Sequence, residues 1–331
     1  MAGKLLIVLS VFLLLPVSGA VVQAAQLEKI TIAGPMAVVT YPMLAMIEHG
    51  QFDKIAKEVD VKIWQTPDQL RAMIIGGTAD FTAVPTNTAA MFYNKGADIK
   101  LLNVSVWGIL FMVSRDDNLK TLADFKGKEI AMPFKGDMPH IIFSEIARKE
   151  GLDPQKDFNL RYVASPMDAV QLMVLRRVDH ALLAEPAVSM LLHKAKNHML
   201  IKLVAPELFR SVDLQEEWGR VFETDSEVPQ AGIAALKGIN KNKEVLAIFQ
   251  EEYAKALTWC NEHPEETGKI VEKYIDGLKA SAVAVATTNT RLIYRTATES
   301  KEKLVQLFSV LNENAPKKIG GRMPDDAFYE E

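Results

Sequence analysis

A strand–helix–strand–helix unit occurs twice in this chain at one fixed offset, and that repeat limits the possible folds more than any other feature. In the first copy, the strand-like run VKIW (Val61 to Trp64) leads into Thr66-Pro67-Asp68-Gln69. A hydroxyl followed three residues later by an amide, with proline in the first helical position, is a helix start. Leu70, Met73 and Ile74 give that helix one apolar face, and Gly76-Gly77 ends it. Asp80 precedes a short apolar strand, Phe81 to Val84, and Pro85-Thr86-Asn87-Thr88 opens a second helix that stops at Gly96. In the second copy, LRYV (from Leu160) leads into Ser165-Pro166-Met167-Asp168. Val170, Met173 and Val174 supply the apolar face, Asp179 precedes the strand His180 to Leu183, and Ala184-Glu185-Pro186 opens the last helix. Thr66 and Ser165 are 99 residues apart, as are Asp80 and Asp179, so no gap is needed.

Each copy follows a similar prelude. Ile30 to Ala33 reads as a strand, followed by a loop to Tyr41-Pro42 and a helix ending near Gly50. Glu129 to Met132 reads as a strand, followed by the loop Pro133-Phe134-Lys135-Gly136-Asp137 and a helix ending at Gly151. The alternation predicts an α/β fold with two lobes, each a mostly parallel sheet covered by helices. Ile99 to Val113 is too long and too apolar for one strand and reads as a strand, a crossover near Val106-Trp107-Gly108 and a new start. Pro206 to Glu227 reads as polar and less regular, Pro229 to Ala235 carries the chain back, and the remainder reads as helical. The expected division is lobe 1 from 25–106 and 230–331, and lobe 2 from 107–229, joined by a two-strand hinge. Ligands of such sheets bind beyond the carboxyl ends of the strands. The predicted site is therefore a cleft between the lobes, lined by the loops that open the helices.

Ahead of the repeat, Lys4 precedes an almost wholly apolar run from Leu5 to Val17, and small residues follow in SGAVVQAA. This is the pattern of a secretory signal, here 1–24 with a cut after Ala24, or earlier after Ala20. The apolar run is shorter than the ~20 residues of a spanning helix. Cys260 is the single cysteine, so no disulfide forms within the chain; its place at the end of an amphipathic pattern predicts a buried thiol. A soluble, monomeric, periplasmic protein is expected. The formal net charge is −4, and with no basic run and no zinc spacing there is no sign of nucleic-acid binding. No G-x-S-x-G, Walker loop or H-E-x-x-H occurs, and the six histidines are scattered, so no catalytic residues, metal or cofactor are expected.

The candidate ligand-binding residues lie in the strand-end loops. Thr40 and Tyr41 are donors in the first loop, and Trp64 is a stacking surface or a core residue. Thr86 and Asn87 begin a helix whose N–H groups face a ligand, and Thr86 serves as cap, ligand contact or both. Phe134 stacks and Lys135 meets an anionic group or stays in solvent, while Asp137 contacts the ligand or caps its own helix. Glu185 offers a carboxylate to a cation or N–H donor, or is a solvated loop acid. One acid, one base and several aromatics fit a small zwitterionic or nitrogen-ring compound slightly better than an inorganic anion.

The segments GGTADFTAVPTNTAA, TLADFKGKEIAM, YVASPMDAVQLMVLRRVDHALLAEPAV and GGRMPDDAFYEE, in this order, resemble the substrate-binding components of ABC importers, in the group linked to nitrate, sulfonate, taurine and thiamine-precursor uptake. The resemblance covers nearly the whole chain after the leader. It implies a type II periplasmic-binding-protein fold, a small-molecule ligand between the lobes, and delivery to an ABC permease in the inner membrane. An enzyme or a sensory module built on the same bilobed scaffold is the alternative. The fungal thiamine-pyrimidine synthases, similar in fold, rely on a cysteine-rich motif that a chain with one cysteine does not supply.

Overall fold

The computed structural model of the chain describes residues 26–197 and 207–330; the expected secretory signal lies outside the described residues. The first lobe opens with β1 (Leu27–Pro35), α1 (Tyr41–Glu48), β2 (Ala56–Trp64), α2 (Pro67–Gly76), β3 (Phe81–Pro85), α3 (Thr86–Asn94) and β4 (Lys100–Val106). The chain then builds the second with β5 (Leu110–Ser114), β6 (Glu129–Pro133), α4 (Met138–Lys149), β7 (Asn159–Val163), α5 (Pro166–Val174), β8 (His180–Ala184), α6 (Ala187–Asn197), β9 (Phe209–Asp213) and α7 (Leu214–Phe222). It returns through β10 (Ala231–Ala235), α8 (Lys243–Glu262), α9 (Pro264–Tyr274), α10 (Ala280–Thr288), β11 (Leu292–Thr296) and α11 (Lys301–Asn314).

The repeat seen in the sequence is also a repeat in space. The first sheet has the order β2-β1-β3-β10-β4-β11 and the second β7-β6-β8-β5-β9. Matched position by position, β2 corresponds to β7, β1 to β6 and β3 to β8. In each sheet the next strand, β10 or β5, runs antiparallel to its neighbours and is the one laid down just after the chain crosses between lobes. The other strands of each sheet run one way, apart from the edge strand β11. Both expected capping boxes form. Thr66 accepts from Gln69 N–H at the start of α2, and Ser165 accepts from Asp168 N–H at the start of α5, each contributing about 1 kcal/mol.

Two segments differ from the sequence reading. The stretch expected to be irregular holds β9 and α7: its outward face is charged (Glu216, Arg220), which gives it a polar composition, while Val212, Leu214 and Trp218 are buried. The C-terminal part is not wholly helical, because β11 pairs with β4 at the sheet edge, Leu292 opposite Val106. Cys260 is buried as expected, and burial pushes its thiol up to about 12.

The two crossings meet at Gln215, the second residue of α7. Its Oε1 accepts from the backbone N–H groups of Ile109 (3.1 Å) and Leu110 (2.9 Å) on the outgoing crossing, and from Gln230 Nε2 (2.9 Å) on the return. Its Nε2 donates to Leu110 O (3.1 Å) and Asp213 Oδ1 (2.6 Å). Trp107, buried in the outgoing crossing, donates from Nε1 to Ile293 O (2.8 Å), and the Arg295 guanidinium covers its ring at 4.4 Å. Trp107 therefore packs the hinge against β11. Gln215→Leu keeps the bulk but leaves buried N–H groups of both crossings without an acceptor. It is expected to lower the unfolding free energy by about 3 kcal/mol, measured by urea titration; a loss below about 1 kcal/mol would show that the crossings hold without it.

Candidate functional site

The carboxyl ends of both sheets face one another across a cavity of about 270 Å³. Its floor is made by the crossings, with Val106, Ile109, Leu110, Gln230 and Ala231. Its walls are the starts of five helices: Pro67 of α2, Pro85 and Thr88 at α3, Met138 and Pro139 of α4, Pro166 and Met167 of α5, and Ala187 of α6. Parallel strands followed by helices place helix N-termini there by construction. Most of the lining is apolar, including Met36, Val39, Leu70, Val84 and Leu278.

Four of the nine candidate residues line this cavity: Trp64, Phe134, Asp137 and Glu185. Trp64 ends β2 and is 6% exposed, and its indole Nε1–H has no hydrogen-bond partner in the protein. Phe134 holds a left-handed backbone, φ 56°, uncommon for a bulky residue. Asp137 Oδ1 accepts from Arg71 of α2, so an ion pair joins the two lobes at the wall. Burial raises the Asp137 carboxyl above its ordinary range, against the opposing charges of Arg71 and Lys318.

Glu185 requires a correction. It is fully buried, but its carboxylate is not free for a cationic solute. Arg210 of β9 pairs with Oε1, and Oε2 accepts from Ser189 N–H (3.0 Å) in the first turn of α6. Arg210 also donates to Ser189 Oγ (2.8 Å) and lies 5.7 Å over the Phe111 ring. A fully buried carboxylate requires such pairing, and the partner comes from β9, the strand that the sequence reading left out.

The other five stand away from the cavity. Thr40 Oγ1 donates to Pro35 O (2.8 Å) and packs on Gly34, where an added Cβ would meet that oxygen at 2.3 Å. Tyr41 lies in the core; burial, then the charge of Glu185, push its phenol well above its usual range. Thr86 is stitched to the return crossing, with Oγ1 donating to Pro229 O (2.6 Å) and its N–H to Gln230 O (3.1 Å). It is the first residue of α3 and makes no cap, and Thr88, two residues on, reaches the cavity instead. Asn87 Nδ2 donates to Lys318 O (3.2 Å). Lys135 is exposed and sits 4.6 Å over the Tyr162 ring. The sequence does not single out Gln215, nor is Gln230 among the nine candidates, although it is 1% exposed on the cavity floor with Oε1 unpartnered. Hydrogen bonds between segments far apart in sequence leave no local pattern.

The model of the NMT1/THI5 like family matches residues 40–267, more than half of the chain. The chain belongs to the NMT1/THI5-like family. A curated relative in Bacillus subtilis (strain 168), "Putative binding protein YtlA", is 24% identical over 260 residues, which is 77% of this chain and 72% of that one. A solved ABC transporter structure from Parabacteroides distasonis superposes with a TM-score of 0.72 at 22% identity, over 92% of this chain and 99% of that one. The alkanesulfonate-binding protein SsuA of Xanthomonas axonopodis pv. citri, bound to MOPS, gives 0.65 at 15% identity, over 92% and 97%. The family member described here therefore has the type II periplasmic-binding-protein fold, two lobes joined by a two-strand hinge.

No group of three or more metal-ligating side chains occurs among the described residues, and no helix among them is long and apolar enough to cross a membrane. One titrating group in α4 gives a pH signature. His140 Nδ1 accepts from Gly136 N–H (3.1 Å), which leaves Nε2 to meet Tyr162 OH (3.1 Å). Burial first, then Lys318, Arg148 and Lys135, hold its imidazole down at about 4, against 6.5 when free. Between these values the unfolded chain binds the proton and the folded chain does not, so stability falls as the pH drops through that window. His140→Gln is expected to make melting temperature depend less steeply on pH between 6.5 and 4; an unchanged slope would contradict a neutral imidazole in the fold.

Proposed function

We propose that this chain is the solute-binding component of an ABC importer, working outside the cytoplasmic membrane, probing for a small organic solute with two lobes and delivering it to a membrane permease. The moving bodies are residues 25–106 with 230–331, and residues 107–229. The leading observation is the cavity itself: it lies at the strand ends of both sheets, with the two crossings as its floor. Contacts between the lobes hold the jaws together. Arg71 pairs with Asp137, Asn314 Nδ2 donates to Glu145 Oε2 (2.8 Å), and α10 packs on α6. A solute touching both walls gains its full contact only in this arrangement, and so shifts the population toward closure.

A binder fits the wall better than an enzyme does. Both carboxylates that line the cavity are tied to arginines, so neither is poised as a general base. The family match, the relatives named above and the leader read from residues 1–24 support export and import duty over catalysis. The test is native mass spectrometry of the protein purified from its own source, followed by calorimetry with the released molecule. A retained small molecule that rebinds one to one and is recovered unchanged is expected. Chemical conversion of that molecule, or retention of nothing with no saturable binding of any small solute, would overturn the proposal.

A further inference from the structure

We infer that the interlobe cavity, taken as the solute site proposed above, selects an uncharged one- or two-ring molecule that accepts a hydrogen bond from Trp64 Nε1 and donates one to Gln230 Oε1, and that it rejects inorganic anions and sulfonates.

Five helix N-termini at one cavity would ordinarily make an anion site, because their free N–H groups and dipoles favour negative charge. This chain uses up that potential internally. Each of the five starts carries a proline, Pro67, Pro85, Pro139, Pro166 and Pro186, which removes an N–H donor. At α2 and α5 the capping boxes use further donors. At α6 the buried Glu185 carboxylate accepts from Ser189 N–H; at α4 Asp137 holds the cap position without a cap hydrogen bond, and its negative charge there opposes a second anion. At α3 the first N–H goes to Gln230 O. No lysine or arginine among the described residues lines the cavity, and the arginines nearest its two acids, Arg71 and Arg210, are engaged with them. An anion would enter a mostly apolar space with no cation on its lining, which is unfavourable.

Two residues of the lining, Trp64 and Gln230, each carry a buried polar atom without a partner in the protein, and these atoms set the polarity of the inferred solute. Trp64 Nε1–H is a donor only. The orientation of the Gln230 amide follows from its neighbour. Gln215 Oε1 already accepts from the Ile109 and Leu110 N–H groups, so only the NH₂ side of Gln230 can face it. That leaves Gln230 Oε1 as an acceptor with no partner in the protein. A buried polar atom without a partner is costly, so a solute that satisfies both gains over one that satisfies neither. The cavity, about 270 Å³, is larger than the ~150 Å³ that admits benzene, and Trp64 and Phe134 offer it flat faces.

Benzamide, which carries both a carbonyl and an N–H donor on one ring, is the probe; benzenesulfonate and nitrate are its charged counterparts, and toluene lacks both polar groups. Thermal shift and calorimetry on the full chain should show benzamide binding one to one, with neither anion binding at the same concentration. In Trp64→Phe the preference for benzamide over toluene should fall about tenfold, whereas a merely structural loss would weaken both equally and leave the preference unchanged. Benzenesulfonate or nitrate binding as tightly as benzamide would overturn the inference while upholding solute capture. An unchanged preference in Trp64→Phe, or binding by no member of the panel, would also overturn it; solute capture then stands or falls separately on the molecule retained from the native source.

Discussion

Gln215 Oε1 joins two segments that are more than a hundred residues apart in sequence, accepting from Ile109 and Leu110 as the chain leaves the first lobe and from Gln230 as it returns. Much of the rest follows from that one amide. It keeps the crossings side by side, so the antiparallel strand of each sheet begins at the hinge. It gives the cavity a floor with satisfied backbone N–H groups, and it sets which end of the Gln230 amide is left over. A hinge that was merely flexible would provide none of these. Here the connection is a hydrogen-bonded platform.

The cavity is assembled from surfaces that are each incomplete. The first lobe brings Trp64 to the wall, and the second brings Phe134, Asp137 and Glu185, with Arg71 of the first lobe paired to Asp137. The acids in this set are paired with arginines, and at α2, α5 and α6 a side chain of the protein accepts from a backbone N–H of the first turn. Helix starts gathered at one cavity favour negative charge in general, and on our inference the residues at these starts offset that preference. Fold and site chemistry are separable in this way because the sheets position the loops while the residues at the helix starts decide what the loops attract.

The parts of the fold built from local signals were legible in the sequence. Both capping boxes, the strands β3 and β8 and the crossover near Val106 rest on residues close in sequence, and the 99-residue offset aligns two such local sets. The site was legible only as a location. Trp64, Phe134, Asp137 and Glu185 were placed at strand ends and reach the cavity, but the electrostatics that decide their use depend on partners distant in sequence: Arg71 for Asp137, and Arg210 for Glu185. Arg210 sits in a strand whose polar composition hid it. Thr86 shows the same limit from the other side. Its position next to a helix start suggested a ligand contact, while its hydroxyl is bonded to Pro229 O on the returning crossing.

The central claim, that two lobes shut on a small solute, is tested most directly by a distance between them. Ile75 at the end of α2 and Leu175 just beyond α5 are exposed, at 76% and 58%, one on each lobe. The buried thiol of Cys260 leaves them free to be labelled selectively after replacement by cysteine. Pulsed electron resonance on the spin-labelled Ile75→Cys, Leu175→Cys protein should give a broad distribution without solute and a narrower, shifted one with the molecule recovered from the native protein. One identical distribution under both conditions, at saturating solute, would contradict the account.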